Sequence, residues 1–228
     1  MNGIKAGSGT NLSEHICARL SERIMKWEYP PGYRFTEEEL GEQFHVSRSP
    51  IREALGMLVE RGLVDKKARQ GYSVRRLDLQ EINELYDVRL VLERSVVKRL
   101  CRNGMDPELI RDLEREWMEY RDHLPAMSES AVLADERFHE ILARESGNSV
   151  LRRMLMEIDQ KIHFVRYADI VNPQRLRQTC EDHLELLGAI KKGDRKAALA
   201  VLSRNIDWGR KHVESAIKDA LMRAHTSV

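Results

Sequence analysis

Three apolar positions spaced four apart, Ile16, Leu20 and Ile24, run through "LSEHICARLSERIMKW" (residues 12–27) and predict an amphipathic helix, with Ser13 or Asn11 as its cap. Two prolines and a glycine in "YPPG" stop it. In "TEEELGEQF" Thr36 is an N-cap with Glu39 three residues on, a capping box, and the acids crowd the end where the helix dipole favours them. A third helix begins at Ser47. Arg48, Ser49 and Pro50 fall in its first turn, where backbone amides have no helical acceptor, so Pro50 marks a start and not a break. Ile51, Leu55, Leu58 and Val59 then define its buried stripe, and Gly62 ends it. Two short β-prone runs, 63–66 and 72–74, flank Gly71 and predict a small hairpin.

From Asp78 onward the periodicity is helical throughout. Helices are predicted over roughly 79–102, 107–124, 129–146, 149–170, 174–192 and 194–223, separated by "NGMDP", "LPAMSES", "SGN", "VNP" and "KGD". Six helices with short connections make an antiparallel bundle. The chain therefore reads as mainly α: a disordered tail over 1–10, a helical module with a hairpin over 11–76, and an all-helical domain over 77–228.

At 228 residues the chain is long enough to bury a core without disulfide or metal staples. Cys17, Cys101 and Cys180 form no CxxC pair and sit in apolar-periodic segments, which fits a reducing cytoplasm. No stretch approaches the length of a membrane span, and the first residues lack the apolar run of a secretory leader. The net charge of +1 conceals an asymmetry: residues 1–76 hold 13 Lys and Arg against 10 Asp and Glu, while the remainder holds 25 against 27. Five cations and no acid lie between Lys66 and Arg76, a basic arm compatible with nucleic acid and equally with a solvated charged face.

With helix 47–62 buried through its apolar stripe, Arg48 and Arg52 lie one turn apart on another face, near the N-terminal end. There two guanidiniums, two serine hydroxyls and the free first-turn amides offer a match to phosphates and base edges. Spacing alone leaves a second reading open, in which Arg52 pairs with Glu53 or Glu60 and Arg48 is solvated. The stretch "PPGYRFTEEELGEQFHVSRSPIREALGMLVERGLVDKKARQGYSV" resembles the winged helix-turn-helix of the GntR family of bacterial transcription regulators, most specifically in "VSRSPIREAL". The resemblance implies three helices plus a β-hairpin wing, DNA contacts from Ser47, Arg48, Ser49 and Arg52, and Gln70 and Gly71 at the wing tip near the minor groove. Some relatives carry an arginine in the second helix where this chain has Glu38, so that contact is not carried over.

In the bundle, Asp135 and His139 in "DERFH" are i and i+4 on one helix, close enough to chelate one ion, and His183 follows on a later helix. "DERFHEIL", Asn148, "EDHLELLGAIKKGD" and "AALAVLSRN" resemble the ligand-binding (FCD-type) domain of the fatty-acid-regulator branch of the family, a six- or seven-helix bundle. That resemblance implies a divalent metal such as zinc, nickel or manganese, held by one aspartate and three histidines beside a carboxylate effector. Asp135, His139 and His183 match three of these positions; Asn205 stands at the fourth, where its amide oxygen is a harder donor than imidazole. The alternative is a metal-free pocket in which the four residues bind water or effector. Arg89 matches an arginine that faces the effector, or pairs with Asp87 or Glu93; His163, Arg166 and Tyr167 in "KIHFVRY" are further effector candidates, or core and interface residues. The function this implies is a ligand-responsive regulator, a repressor binding a palindromic operator on double-stranded DNA as a homodimer, and not an enzyme. The competing reading, a non-haem metalloenzyme using Asp135, His139 and His183, finds no HExxH, phosphate loop or nucleophile elbow to support it.

Overall fold

The computed structural model describes residues 9–67, 71–76, 78–124, 129–170 and 172–226. The chain divides into two compact units, Met1–Leu77 with Ala220–Val228, and Asp78–Asp219.

In the first unit α1 (Gly9–Met25) buries Ile16, Leu20 and Ile24, the three positions its periodicity singles out. It begins at Gly9, so neither Asn11 nor Ser13 is its cap; positions 1–8 of the expected tail lie outside the described residues. Ser13 is instead a buried helix-interior residue whose hydroxyl donates to Glu53 Oε2 at 2.6 Å. Past the helix end, Trp27 takes a left-handed φ of 62° with its ring buried. Next come β1 (Arg34–Phe35) and α2 (Glu37–Phe44), where Thr36 accepts from the Glu39 amide and Glu39 reaches back to the Thr36 amide, the capping box its sequence predicts.

His45 ends α2 with a left-handed φ of 55°, and a Cβ on Gly41 would stand 3.1 Å from the Val46 carbonyl, so the turn into α3 (Arg48–Glu60) is tight. Ser47 is the N-cap of α3 by backbone geometry but makes no side-chain capping bond. Its buried face is Ile51, Ala54, Leu55 and Leu58. Val59, expected in that stripe, is half-buried, because its position falls at the stripe's edge and Ala54 lies nearer the centre.

The hairpin consists of β2 (Val64–Lys67) and β3 (Gly71–Val74), paired antiparallel from Val64 opposite Val74 to Lys67 opposite Gly71. The sheet has a third strand that the sequence pattern does not reveal: β1 pairs with β3 through Arg34 opposite Ser73 and Phe35 opposite Tyr72. Phe35, Val64, Tyr72 and Val74 turn inward, giving the wing its own apolar footing.

The second unit is a helix bundle of α4 (Leu79–Asn103), α5 (Pro107–Asp122), α6 (Glu129–Glu145), α7 (Ser149–Ile170), α8 (Pro173–Lys191) and, as far as Asp219, α9 (Arg195–Thr226), all within a residue or three of the predicted bounds. Asp78, Asp106 and Asn172 cap α4, α5 and α8 with their side chains, and Pro107 and Pro173 occupy the first turns of their helices. Contacts of α5 with α8, of α6 with α7 and of α4 with α6, α7 and α8 close a core around Trp117, Phe138, Leu142 and Ile162. The departure from an ordinary bundle is in its polar content. Arg89, Glu93, Asp135, His139, Arg166, Asp169, Arg175, His183 and Asn205 are all buried, and such groups stay buried only when paired or holding an ion.

Candidate functional site

Among the described residues two places carry the chemistry the sequence suggests, one in each unit. At the start of α3, Ser47, Arg48, Ser49 and Arg52 are all exposed, so the helix end presents the residues its sequence suggests. Their partners within the chain are neither Glu53 nor Glu60. Arg52 makes two bonds to Glu37, Nε to Oε1 at 3.0 Å and Nη2 to Oε2 at 2.7 Å, and Arg48 lies 3.2 Å from Glu38 Oε2. Both acids come from the first turn of α2, brought across by the tight turn at His45. The arrangement lowers the Glu37 carboxyl, chiefly through its bonds to Arg52. Gly71 starts β3 with φ 78° and is exposed; Gln70 lies outside the described residues.

The centre of the bundle site is built from three helices, and α7 and α9 add Arg166 and Asn205 around it. Asp135 and His139 on α6, His183 on α8 and Glu93 on α4 meet at the centre, and ligand atoms of Asp135, His139 and His183 all lie within 4.8 Å of one another. Asp135 Oδ1 is 3.4 Å from His183 Nε2 and 3.9 Å from His139 Nε2, while its other oxygen is taken by Arg166. His139 Nδ1 meets Glu93 Oε2 at 2.6 Å, and Glu93 in turn accepts from Arg89 Nε at 2.7 Å. Burial would raise the Glu93 carboxyl, yet His139 and then Arg89 outweigh it and hold it at about 2. Asp135 is likewise kept ionised far below the usual carboxylate range against its burial, chiefly by Arg166. His183 goes the other way: burial drives it well below an ordinary histidine despite Asp135, so its ring is neutral near pH 7 and Arg166 is the cation that secures Asp135.

These residues fit a divalent metal. Both ring nitrogens of His183 are buried and lack a hydrogen-bond partner, a costly state for an imidazole unless one nitrogen serves as a ligand. His183 is held in place by rings, stacked on Phe138 at 3.8 Å and edge-on to Trp117 at 4.2 Å. Glu93 fixes His139 through Nδ1 and leaves Nε2 toward Asp135, the outer-shell arrangement that orients metal-binding histidines. Asn205 is buried and lines the adjoining cavity; its amide nitrogen donates to Asp182 Oδ2 at 3.3 Å, which leaves its oxygen as the free end.

That cavity measures about 10 Å³ and is lined by Tyr86, Arg89, Asp135, His139, Arg166 and Arg175 among others. Of the effector candidates, Arg89 and Arg166 border it. Arg166 bonds Asp135 and, through Nη1, Asp159 at 2.9 Å. His163 does not belong to the cavity: it is half-buried and bonds Glu136. The Tyr167 side chain lies outside the described residues. Sequence reasoning missed Arg175, whose Nε bonds Asp169 at 3.0 Å and whose Nη2 bonds the Asn205 carbonyl at 3.1 Å. Arg89 Nη2 and Arg175 Nη1 are buried without a hydrogen-bond partner, two guanidinium donors on one cavity. In "NPQRLRQ" (residues 172–178), with Arg177 two residues on, Arg175 reads as a surface cation; its sequence signal is its place one turn after the Asn172 cap.

Residues 12–74 match the family model described as "Bacterial regulatory proteins, gntR family", and residues 84–207 match the FCD domain. The chain belongs to the GntR family. Within this GntR-family chain, the first match contains the α2–α3 pair and the wing, and the second contains Arg89, Asp135, His139, Arg166, Arg175, His183 and Asn205. It is 31% identical over 204 residues to the Nta operon transcriptional regulator of Aminobacter aminovorans, covering 87% of this chain and 95% of that one. It is 32% identical over 213 residues to the gluconate operon transcriptional repressor of Bacillus licheniformis, covering 88% and 84%. Among solved structures, E. coli McbR/YncC shares the fold with a TM-score of 0.67 at 20% identity, covering 90% of this GntR-family chain and 97% of its own.

Proposed function

We propose that the protein is a ligand-responsive transcriptional repressor that binds a palindromic operator as a homodimer. The observation that carries the DNA-reading part is the first turn of α3, where Ser47, Arg48, Ser49 and Arg52 are exposed and Ser47 makes no side-chain capping bond. A helix presented this way enters the major groove by its N-terminal residues, and a bidentate arginine to guanine is the commonest specific contact there. Two copies related by a two-fold axis would read two half-sites. The relative named a gluconate operon repressor supports the sign of regulation.

The effector side rests on the bundle cluster. A cavity of about 10 Å³ holds no more than one water, so an organic acid enters only if side chains move. Arg89 Nη2 and Arg175 Nη1 are the donors such an acid would satisfy. A divalent ion held by Asp135, His139 and His183, with the Asn205 oxygen as a fourth donor, would supply the positive charge that a carboxylate needs among Glu93, Asp135, Asp159 and Asp169. Arg166 is the movable element, because it holds Asp135 and Asp159 together and can exchange one of them for ligand. Effector binding then shifts the population of bundle conformations, and operator affinity follows by differential binding.

The test is selection of bound duplexes from a random library with the full chain. A palindromic site is expected, and Arg48→Ala should weaken binding to it by about 1 to 3 kcal/mol. Recovery of no common sequence, or an unchanged affinity in the variant, would overturn the reading.

A further inference from the structure

The two arginines that read DNA in the proposed function are each matched by an acid of α2, and those acids come from the same molecule. Glu37 grips Arg52 with two bonds and is three-quarters covered, 24% of its side chain being exposed. Glu38 meets Arg48 differently. The pair is single, at 3.2 Å, and both side chains are open to solvent, at 69% and 64%. An exposed pair of that kind is weak and opens readily. Glu37, Glu38 and Glu42 line one surface groove together with Ser47 and Arg48, so their carboxylates stand where a DNA strand meeting the helix end would pass.

We propose that Glu38 restrains sequence-independent DNA binding. With Arg48 paired to Glu38, a contact to a backbone phosphate only exchanges one anion for another and gains little. A contact to a guanine edge breaks the same pair, but its two bonds are on offer only where the base sequence matches, so what Arg48 adds is confined to the helix in register. The Glu38 carboxylate also stands beside the passing strand and repels it. Glu37 acts on Arg52 as a positioning residue instead, since two parallel bonds fix the plane of the guanidinium.

This inference rests on the reading of α3 as the DNA-contacting helix, and the experiment separates the two. Fluorescence anisotropy is measured with the full chain and a labelled random-sequence duplex over a range of potassium chloride. The variants are Glu38→Gln and, as a control that removes one acid from the far end of α3, Glu60→Gln. Glu38→Gln is expected to tighten binding about three- to tenfold at low salt. The slope of log affinity against log salt should steepen by about one, the mark of one further phosphate contact. Glu60→Gln should move neither quantity comparably. If Glu38→Gln binds like the wild type, or no better than Glu60→Gln, the restraint is refuted while the DNA-binding reading stands. If the wild-type chain binds no duplex at all, the reading of α3 falls and the inference with it. Glu38→Ala, which removes the carboxylate by another route, should reproduce the direction of the Gln variant, and opposite signs would refute the charge explanation.

Discussion

Replacing Arg166 with Met removes the guanidinium that bonds Asp135 while keeping a long side chain in the packing. Arg166 and Asp135 have only 4% and 5% of their side chains exposed, and Arg166 also bonds Asp159 at 2.9 Å. The variant therefore leaves a buried carboxylate without its partner and a second one partly so. Breaking a buried pair from one side costs about 3 to 5 kcal/mol, which for a unit of this size is a fall of about 6 to 20 °C in Tm. The assay is thermal unfolding of both proteins in chelator and then in zinc, nickel or manganese. Because a bound cation takes over the charge that Arg166 supplies, metal should stabilise the variant by more than it stabilises the wild type; saturation at a hundredfold excess over Kd gives about 2.7 kcal/mol. A variant that melts with the wild type in chelator would refute the claim that Arg166 secures Asp135. A smaller metal effect in the variant would refute the claim that the ion and the guanidinium serve the same carboxylate.

Other outcomes follow from the same geometry. The Trp117 ring lies 4.2 Å from the His183 ring, so metal binding at His183 should change tryptophan emission, and Trp117→Phe should abolish that change while Trp27→Phe in the first unit leaves it. Asn205→His should raise affinity for zinc relative to manganese in a competition with a coloured chelator, since imidazole is the softer donor; an unchanged ratio would remove Asn205 from the ligand set. Arg175→Gln should reduce the thermal stabilisation that a carboxylic acid gives, because the Arg175 Nη1 donor is lost, and equal stabilisation would take Arg175 out of the acid site. Thr36→Ala should destabilise the first unit by about 1 kcal/mol in chemical denaturation, having lost one half of a reciprocal cap.

What could be read from the sequence follows the range of the interaction involved. Helix ends in the bundle were legible because the cause is local: Asp78, Asp106 and Asn172 cap within three residues, and Pro107 and Pro173 can sit only in a first turn. Pro50 at the start of α3 was legible for the same reason. Strand β1 was not, since two residues carry no periodicity and exist as a strand only because β3 offers them an edge. Asp135, His139 and His183 could be singled out by residue type and family pattern, and the fold brings them within 4.8 Å. The partners of Arg48 and Arg52 could not: Glu38 and Glu37 sit 10 and 15 positions away and arrive through the left-handed turn at His45. Arg175 is not legible because nothing near it in sequence shows that it bonds Asp169 and the Asn205 carbonyl, and His163 leaves the site because its partner is Glu136, which its helix neighbours do not reveal.

The proposed function is a coupling in which occupancy of the bundle site changes how the chain holds its operator. It is tested most directly by the operator Kd, measured by anisotropy for the full chain at fixed salt with and without the carboxylic acid that most raises its Tm, in metal and in chelator. The acid is expected to shift the operator Kd several-fold with metal present, and Arg175→Gln is expected to lose the shift while keeping operator affinity in the absence of acid. An acid that stabilises the protein yet leaves the operator Kd unchanged would contradict the coupling.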